Sequence, residues 1–489
     1  MPINSFDDYP MSWRPAREAL ATGPLYLALA AALERDVRTG ALPAGTRLPP
    51  QRELADFLDV DFTTVTRAYN VCRAKGLVYG VVGRGTFVAD AGEAAANGAT
   101  PKDVIDLGVV QAFPEIGAKA VVAAARTVLA RETATRLFTY DDRDGKLRHR
   151  VAGCRWLARC GVDAKEKLVS VFPGVQGAIS TALLAAFNAG DAIAVDPFTY
   201  ANLVSFARLS GTRLVPIEND EGGMIPEALD EAAAKRGVKG VFVMPNCANP
   251  TTRTLDEKRK DELAEVMARR GLLVLEDDAS LDVRRAVERP PYQTRSPVGT
   301  AFHRRPLQAR IPEQVIYLSG TTRLISPGLR TAFVCAPRSV HDRLVAGLHH
   351  AAIKASALDA EILGELILSG EAEKILAAKA REAAKANAIF DRVFKIRRAG
   401  DAHRLFRMVP LPGTSGRGHE IERQVLDAGV RIFHSDRYAV QRGAKNSFIR
   451  VSLCSAGSLS RLTRGLERLR STVYTERGEE NDRAVMRKS

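Results

Sequence analysis

Residues 315–330, VIYLSGTTRLISPGLR, place two arginines, Arg323 and Arg330, on either side of a tight turn. A guanidinium is a planar fork of N–H donors that grips phosphate or carboxylate through paired hydrogen bonds. It stays protonated and is therefore not a usable nucleophile. The stretch can hold an anion, but Arg323 cannot attack a carbonyl. Val315 to Ser319 is rich in β-formers and reads as a short buried strand. Gly320 and two threonines turn the chain, and Ser326-Pro327-Gly328 turns it again before a second strand over Thr331 to Ala336.

The elements that must carry this loop form a long alternation of strands and helices from about residue 104, the pattern of an α/β domain with a mostly parallel sheet. Val169 to Gly174 reads as a strand ending in a turn, and Val175 to Phe187 as a helix. The stretch Ala192–Tyr200 follows, Val241–Thr252 is a strand running into a turn, and Leu272–Asp278 reads as a buried strand ending in acids. Residues 340–470 read as long helices followed by short strands, one of them Phe448–Leu453. Between two core strands, residues 284–310 hold seven arginines and His303 against the single acid Glu288. That segment is either a solvated loop or a contact for DNA or an acidic partner.

The first ninety residues follow other rules. Leu25, Leu29, Leu33 and Val37 mark one face of a helix over Leu25–Arg38. The Pro/Gly stretch Gly40–Pro50 breaks it, and Gln51–Leu58 is a short helix with Leu54, Ala55 and Leu58 inward. Asp61 is a candidate N-cap for a helix with Val65, Ala68, Tyr69 and Cys72 inward, stopping at Gly76. Leu77 to Val88 alternates around Gly83-Arg84-Gly85 and reads as a β-hairpin wing. The segment is neutral, with ten bases and ten acids, yet residues 62–89 hold four bases and no acid.

Helix, short helix, helix and wing make a winged helix-turn-helix, and the wording over about fifty residues closely resembles the GntR-type DNA-binding head. The arginine after the Pro turn, the T-V-x-R-A-Y helix and the G-x-G-T-F-V wing carry the resemblance. It implies a third helix in the major groove and a wing on the adjacent backbone, with Arg52, Thr64, Arg67 and Arg84 touching DNA.

The larger part resembles fold-type I aminotransferases, which use pyridoxal phosphate (PLP). Their loop reads roughly S-x-S-K-x-x-x-P-G-L-R, the lysine forming a Schiff base with PLP and the last arginine gripping its phosphate. Aligned on Ser326 to Arg330, the lysine position holds Arg323. By the same resemblance Val175 and Gln176 sit at the phosphate. Tyr200 lies against the ring, Asn249 faces the phenolic oxygen, and Asp277 holds the ring nitrogen. Arg450 clamps a substrate carboxylate. The family's glycine after N-P-T is Thr252, and its tyrosine after the acidic strand is absent, with Ala279 and Ser280 in its place.

A GntR-type head on an aminotransferase-like body resembles the MocR group of bacterial transcription regulators. The expected domains are 1–88 (head), 89–103 (linker), 104–475 (effector and dimerisation body) and 476–489 (charged, disordered tail). The resemblance implies a head-to-tail homodimer, a duplex DNA operator and a small anionic or amino-acid-like effector, with no covalently bound cofactor. Three readings stand: a regulator with a degenerate non-covalent pocket, PLP binding there without a covalent bond included; a regulator using the body only as a dimer scaffold; and a working aminotransferase, which Arg323 disfavours.

Composition bounds the rest. The 489 residues are 46% hydrophobic and 26% charged, as in ordinary globular chains of two or three domains. No apolar run reaches the ~18 residues of a membrane span, so the expected location is the cytoplasm. Six scattered cysteines without a C-x-x-C pair argue against a metal site or disulfide framework. The net charge of +14 invites a nucleic-acid partner without establishing one.

Overall fold

The computed structural model describes residues 11–15, 24–38, 41–43, 46–74, 77–81, 85–88, 104–140, 143–278, 305–395, 402–441, 443 and 446–474. Arg84, the expected linker, Ala279 and Ser280, most of the basic segment 284–310 and the charged tail lie outside them. The chain divides into two compact units, residues 1–101 and 102–489.

In the first unit α1 (Leu25–Arg38), α2 (Gln51–Leu58) and α3 (Phe62–Ala74) precede a two-stranded sheet, β1 (Val78–Val81) and β2 (Gly85–Val88). The apolar spacing read in each helix is the packing observed, except that Leu25, expected on the inward face, is exposed at the first turn of α1. Leu29, Leu33, Leu54, Leu58, Val65, Ala68, Tyr69 and Cys72 form one buried cluster with Val78 and Val88. Asp61 caps α3 by accepting the Thr63 amide at 2.7 Å, which offsets an otherwise unsatisfied donor of the first turn. One feature was not visible in the sequence. Leu48 donates to the Thr86 carbonyl at 2.8 Å and Val88 to that of Thr46 at 2.9 Å, so the end of the Pro/Gly connection adds a third edge to the wing.

The second unit is built on a seven-stranded sheet: β3 (Val169–Phe172), β4 (Ala192–Val195), β5 (Arg213–Pro216), β6 (Val238–Val243), β7 (Leu273–Asp277), β8 (Val315–Gly320) and β9 (Ala332–Cys335). Their order is β3-β9-β8-β7-β6-β4-β5. Only β9 runs antiparallel to its neighbours, so the expected mostly parallel sheet is the one found. The strands are near-continuous apolar runs because both faces are covered. Val171, Val241, Val274, Val315 and Phe333 pack on one side with Trp156 and Leu157. Phe172, Ile193, Phe242, Leu275, Ile316 and Leu318 pack on the other with Ile179 and Leu183.

A three-stranded antiparallel sheet, β10 (Phe406–Pro410), β11 (Phe433–His434) and β12 (Phe448–Ser452), has β12 at its centre. Among the described residues no helix is long and apolar enough to cross a membrane.

Candidate functional site

In an open sheet of parallel strands, ligands bind in the crevice beyond the carboxyl ends. The candidate residues fall there by sequence order alone. α4 (Gly174–Ala186) follows β3, Tyr200 follows β4 and Asn249 follows β6, while Asp277 ends β7 and the Arg323–Arg330 loop follows β8.

The helix after β3 begins at Gly174, one residue before the sequence-based start, with no acid in its first turn and no side-chain cap. Its leading amides are therefore unsatisfied donors at the positive end of the helix dipole. Gly174 adopts φ +77°, and a Cβ there would meet the Arg330 guanidinium at 3.0 Å. A cation thus lies against a helix N-terminus, an arrangement that favours a bound anion. Gln176 adds a buried Oε1 with no hydrogen-bond partner, its amide nitrogen donating to Ser180 at 3.1 Å.

The loop itself is pinned at its base. Thr321 donates through its hydroxyl to the Thr331 carbonyl at 2.8 Å, and the Ile325 amide donates to the Thr321 carbonyl at 2.7 Å. Behind it stands a residue the sequence analysis passed over. Lys379 is fully buried, and its Nζ donates to the Ile325 carbonyl at 2.9 Å. Burial pushes its pKa down to about 8. The signal was a lone lysine on the alanine-rich inner face of the helix Glu371–Phe394.

Tyr200 shows which charges converge. Burial raises its phenol pKa, Arg323, Arg330 and Arg450 pull it down, and Asp277 pushes it up. The strand period splits the acids at the end of β7. Asp277 follows Leu275 toward the helix Gly174–Ala186. Glu276 and Asp278 face the other way into fixed structural roles. Glu276 accepts the Leu307 and Gln308 amides at 3.0 and 2.8 Å, and burial pushes its pKa up to about 7. Asp278 accepts Asn246 at 2.9 Å and the Tyr317 hydroxyl.

Arg450 is more enclosed than the resemblance implied. Its Nη1 donates to Asn249 Oδ1 at 2.8 Å and its Nη2 to the Gly108 carbonyl. The Phe406, Phe433 and Tyr438 rings surround its guanidinium at 5.1–5.7 Å. A buried guanidinium must find acceptors, so the open fork expected from the sequence is partly taken up by protein. Nε alone is buried with no partner.

Thr252 keeps the glycine-like conformation of its turn without the glycine, at φ +58°. The left-handed region costs a non-glycine residue about 1–2 kcal/mol, and more for a β-branched one. Thr252→Gly is expected to raise unfolding stability by up to about 1 kcal/mol after glycine's own entropy cost. A loss of stability in urea titration would mean the threonine side chain outweighs the strain.

On the first unit Arg67 is exposed on α3 and Arg52 lies over the Phe62 ring at 5.8 Å. Thr64 is half-buried beside them.

Residues 102–469 match the family described as Aminotransferase class I and II. The chain belongs to that family. Residues 25–88 match the bacterial regulatory proteins of the gntR family, so a GntR-type DNA-binding head is fused to a fold-type I aminotransferase domain. An uncharacterized HTH-type transcriptional regulator of Bacillus subtilis, YdeF, is 31% identical over 96% of this chain and 98% of its own length. The 2-aminoadipate transaminase of Thermus thermophilus is 24% identical over 74% of this chain and 89% of its own. The structure of an archaeal alanine:glyoxylate aminotransferase superposes with TM-score 0.67 at 19% identity, covering 78% of this chain and 93% of that one. That likeness shows the shared fold.

Proposed function

We propose that this protein is a MocR-type transcription regulator whose aminotransferase domain no longer catalyses and serves as a non-covalent effector pocket and a dimerisation body. The observation that carries this reading is the loop after β8, whose resemblance to the family's loop, aligned on Ser326 to Arg330, puts Arg323 where the family has its lysine. A helix start without a side-chain cap against Arg330 supports an anion site, and Asp277 at the end of β7 suits a ring nitrogen. The covalent half of a PLP site does not fit, so no chemical step is assigned to PLP here. The effector is a small anion or amino-acid-like molecule, held by Arg330 and the donors Arg450 still offers, with Arg323 filling part of the PLP space. The head reads an operator through Arg52, Thr64, Arg67 and Arg84, in the cytoplasm.

A head-to-tail homodimer is part of the proposal. Exposed Val122, Leu129, Phe138, Tyr140, Leu147 and Val151 cluster in one stretch of the body, and a second copy of the chain would cover them.

Calorimetric titration with pyridoxal 5′-phosphate, followed by borohydride reduction and peptide mass mapping, tests the pocket. Only weak, reversible binding through the phosphate is expected, without a reducible adduct, because Arg323 takes part of the ring's space; it is weakened about tenfold or more in Arg330→Ala because a charge-assisted contact is lost. A borohydride-trapped adduct on Lys379, the buried amine at the loop, would overturn the non-covalent reading. Equal affinity in Arg330→Ala would remove the anion site.

A further inference from the structure

α3 begins with an aromatic that its own core does not use. Phe62 is the first residue of the helix and 43% exposed. It lies outside the buried cluster that collects Val65, Ala68, Tyr69 and Cys72 from the same helix. Its neighbours on the exposed side are polar or cationic: Thr63 and Arg67. Arg52 of α2 places its guanidinium over the ring at 5.8 Å, which holds the side chain by a cation–π contact. The helix start is fixed from below, with the Thr63 amide and hydroxyl both on Asp61 and the Thr66 hydroxyl bridging to Gln51 at 2.8 Å.

If α3 enters the major groove as proposed above, this ring meets a surface made of phosphates, base donors and base acceptors. Phenylalanine can pair with none of those. The one apolar group that base pairs present there is the thymine 5-methyl. Charge complementarity from Arg52 and Arg67 brings the helix to the duplex, and the ring supplies what they cannot, contact with a methyl. We infer that Phe62 is a specificity-determining residue that reads a thymine methyl in each operator half-site, held in place by Arg52. The inference rests on the DNA-reading role of the head.

The test uses the full chain. Selection from randomised duplexes defines the bound sequence, and each selected thymine is then replaced by uracil, which removes only the methyl. For the wild-type protein, uracil at one position per half-site is expected to weaken binding about fourfold, the worth of one buried methyl-sized group. Phe62→Ala loses that discrimination while responding normally at other positions, and Phe62→Leu, still apolar, keeps part of it. Indifference of the wild-type protein to uracil everywhere overturns the inference, as does a Phe62→Ala variant that still penalises uracil at the same position. Failure to enrich any sequence overturns the DNA reading of the head, and this inference with it.

Discussion

Arg67→Ala is expected to weaken operator binding by about 1–3 kcal/mol, roughly five- to 150-fold, if the guanidinium reads a base edge. Arg67 is exposed on α3, one turn beyond Thr63 and Thr64, and its charge is felt by Asp61 at the helix start. The Asp61 carboxylate is held below its usual range mainly by the Thr63 hydrogen bonds, so it is committed to capping. Electrophoretic shift at several salt concentrations separates two roles. A base contact removes sequence preference, whereas a phosphate contact lowers affinity uniformly and reduces the salt slope by about one. Footprinting is expected to show two similar half-sites for a dimer. Unchanged affinity in Arg67→Ala, or a single half-site bound by a monomer, would contradict the assignment.

The second large effect concerns stability. Glu361, on the helix Ala357–Ser369, accepts Arg131 at 2.7 Å and Arg148 at 2.9 Å, and pairs with buried His149 at 2.8 Å. Glu361→Ala leaves buried His149 without its acceptor, while Arg131 and Arg148 keep Glu365. The expected cost is about 2 kcal/mol, that of an unpaired buried polar group rather than of an uncompensated buried charge. Burial pushes the Glu361 carboxyl up, but His149, Arg148 and Arg131 pull it further down, for a net lowering from 4.5. A depressed carboxyl contributes stability that is present above about 4.5 and lost as pH falls through its folded value. The gap between wild type and variant in thermal unfolding should therefore be constant near neutrality and shrink on acidification. A gap that persists undiminished at pH 3 would place the stabilisation elsewhere. Because Arg148 and His149 lie between exposed Leu147 and Val151, the variant is also expected to dimerise less well.

Much of this was legible from types and spacing. The head was readable because each helix carries its inward residues at helical period, and the Asp61 cap is a local interaction. The sheet was readable because its strands are short apolar runs ending in Gly, Pro, Asn or Asp. The convergence of Tyr200, Asp277, Arg323 and Arg330 follows from all of them lying just past strand ends. What sequence did not reveal depends on distant partners. Lys379 lies 54 residues from the carbonyl it holds. The aromatic cage of Arg450 is assembled from β10, β11 and Tyr438, and its acceptors Asn249 and Gly108 come from far along the chain. The third edge of the wing was hidden because a Pro/Gly stretch does not look like a strand.

The hydrophobic cluster of the head ends at Val88, and those of the body begin at Ile105. For a dimer on two half-sites, the second head binds within the same complex, at an effective concentration set by the reach of the intervening chain and the spacing of the two bodies. In such a dimer, avidity falls gradually as that spacing moves away from the half-site spacing and is lost once the intervening chain cannot span it, while every head–DNA contact stays as it was. In the proposed regulator, a small molecule that tightens or loosens the body would thus act on the operator without ever being felt by the recognition helix.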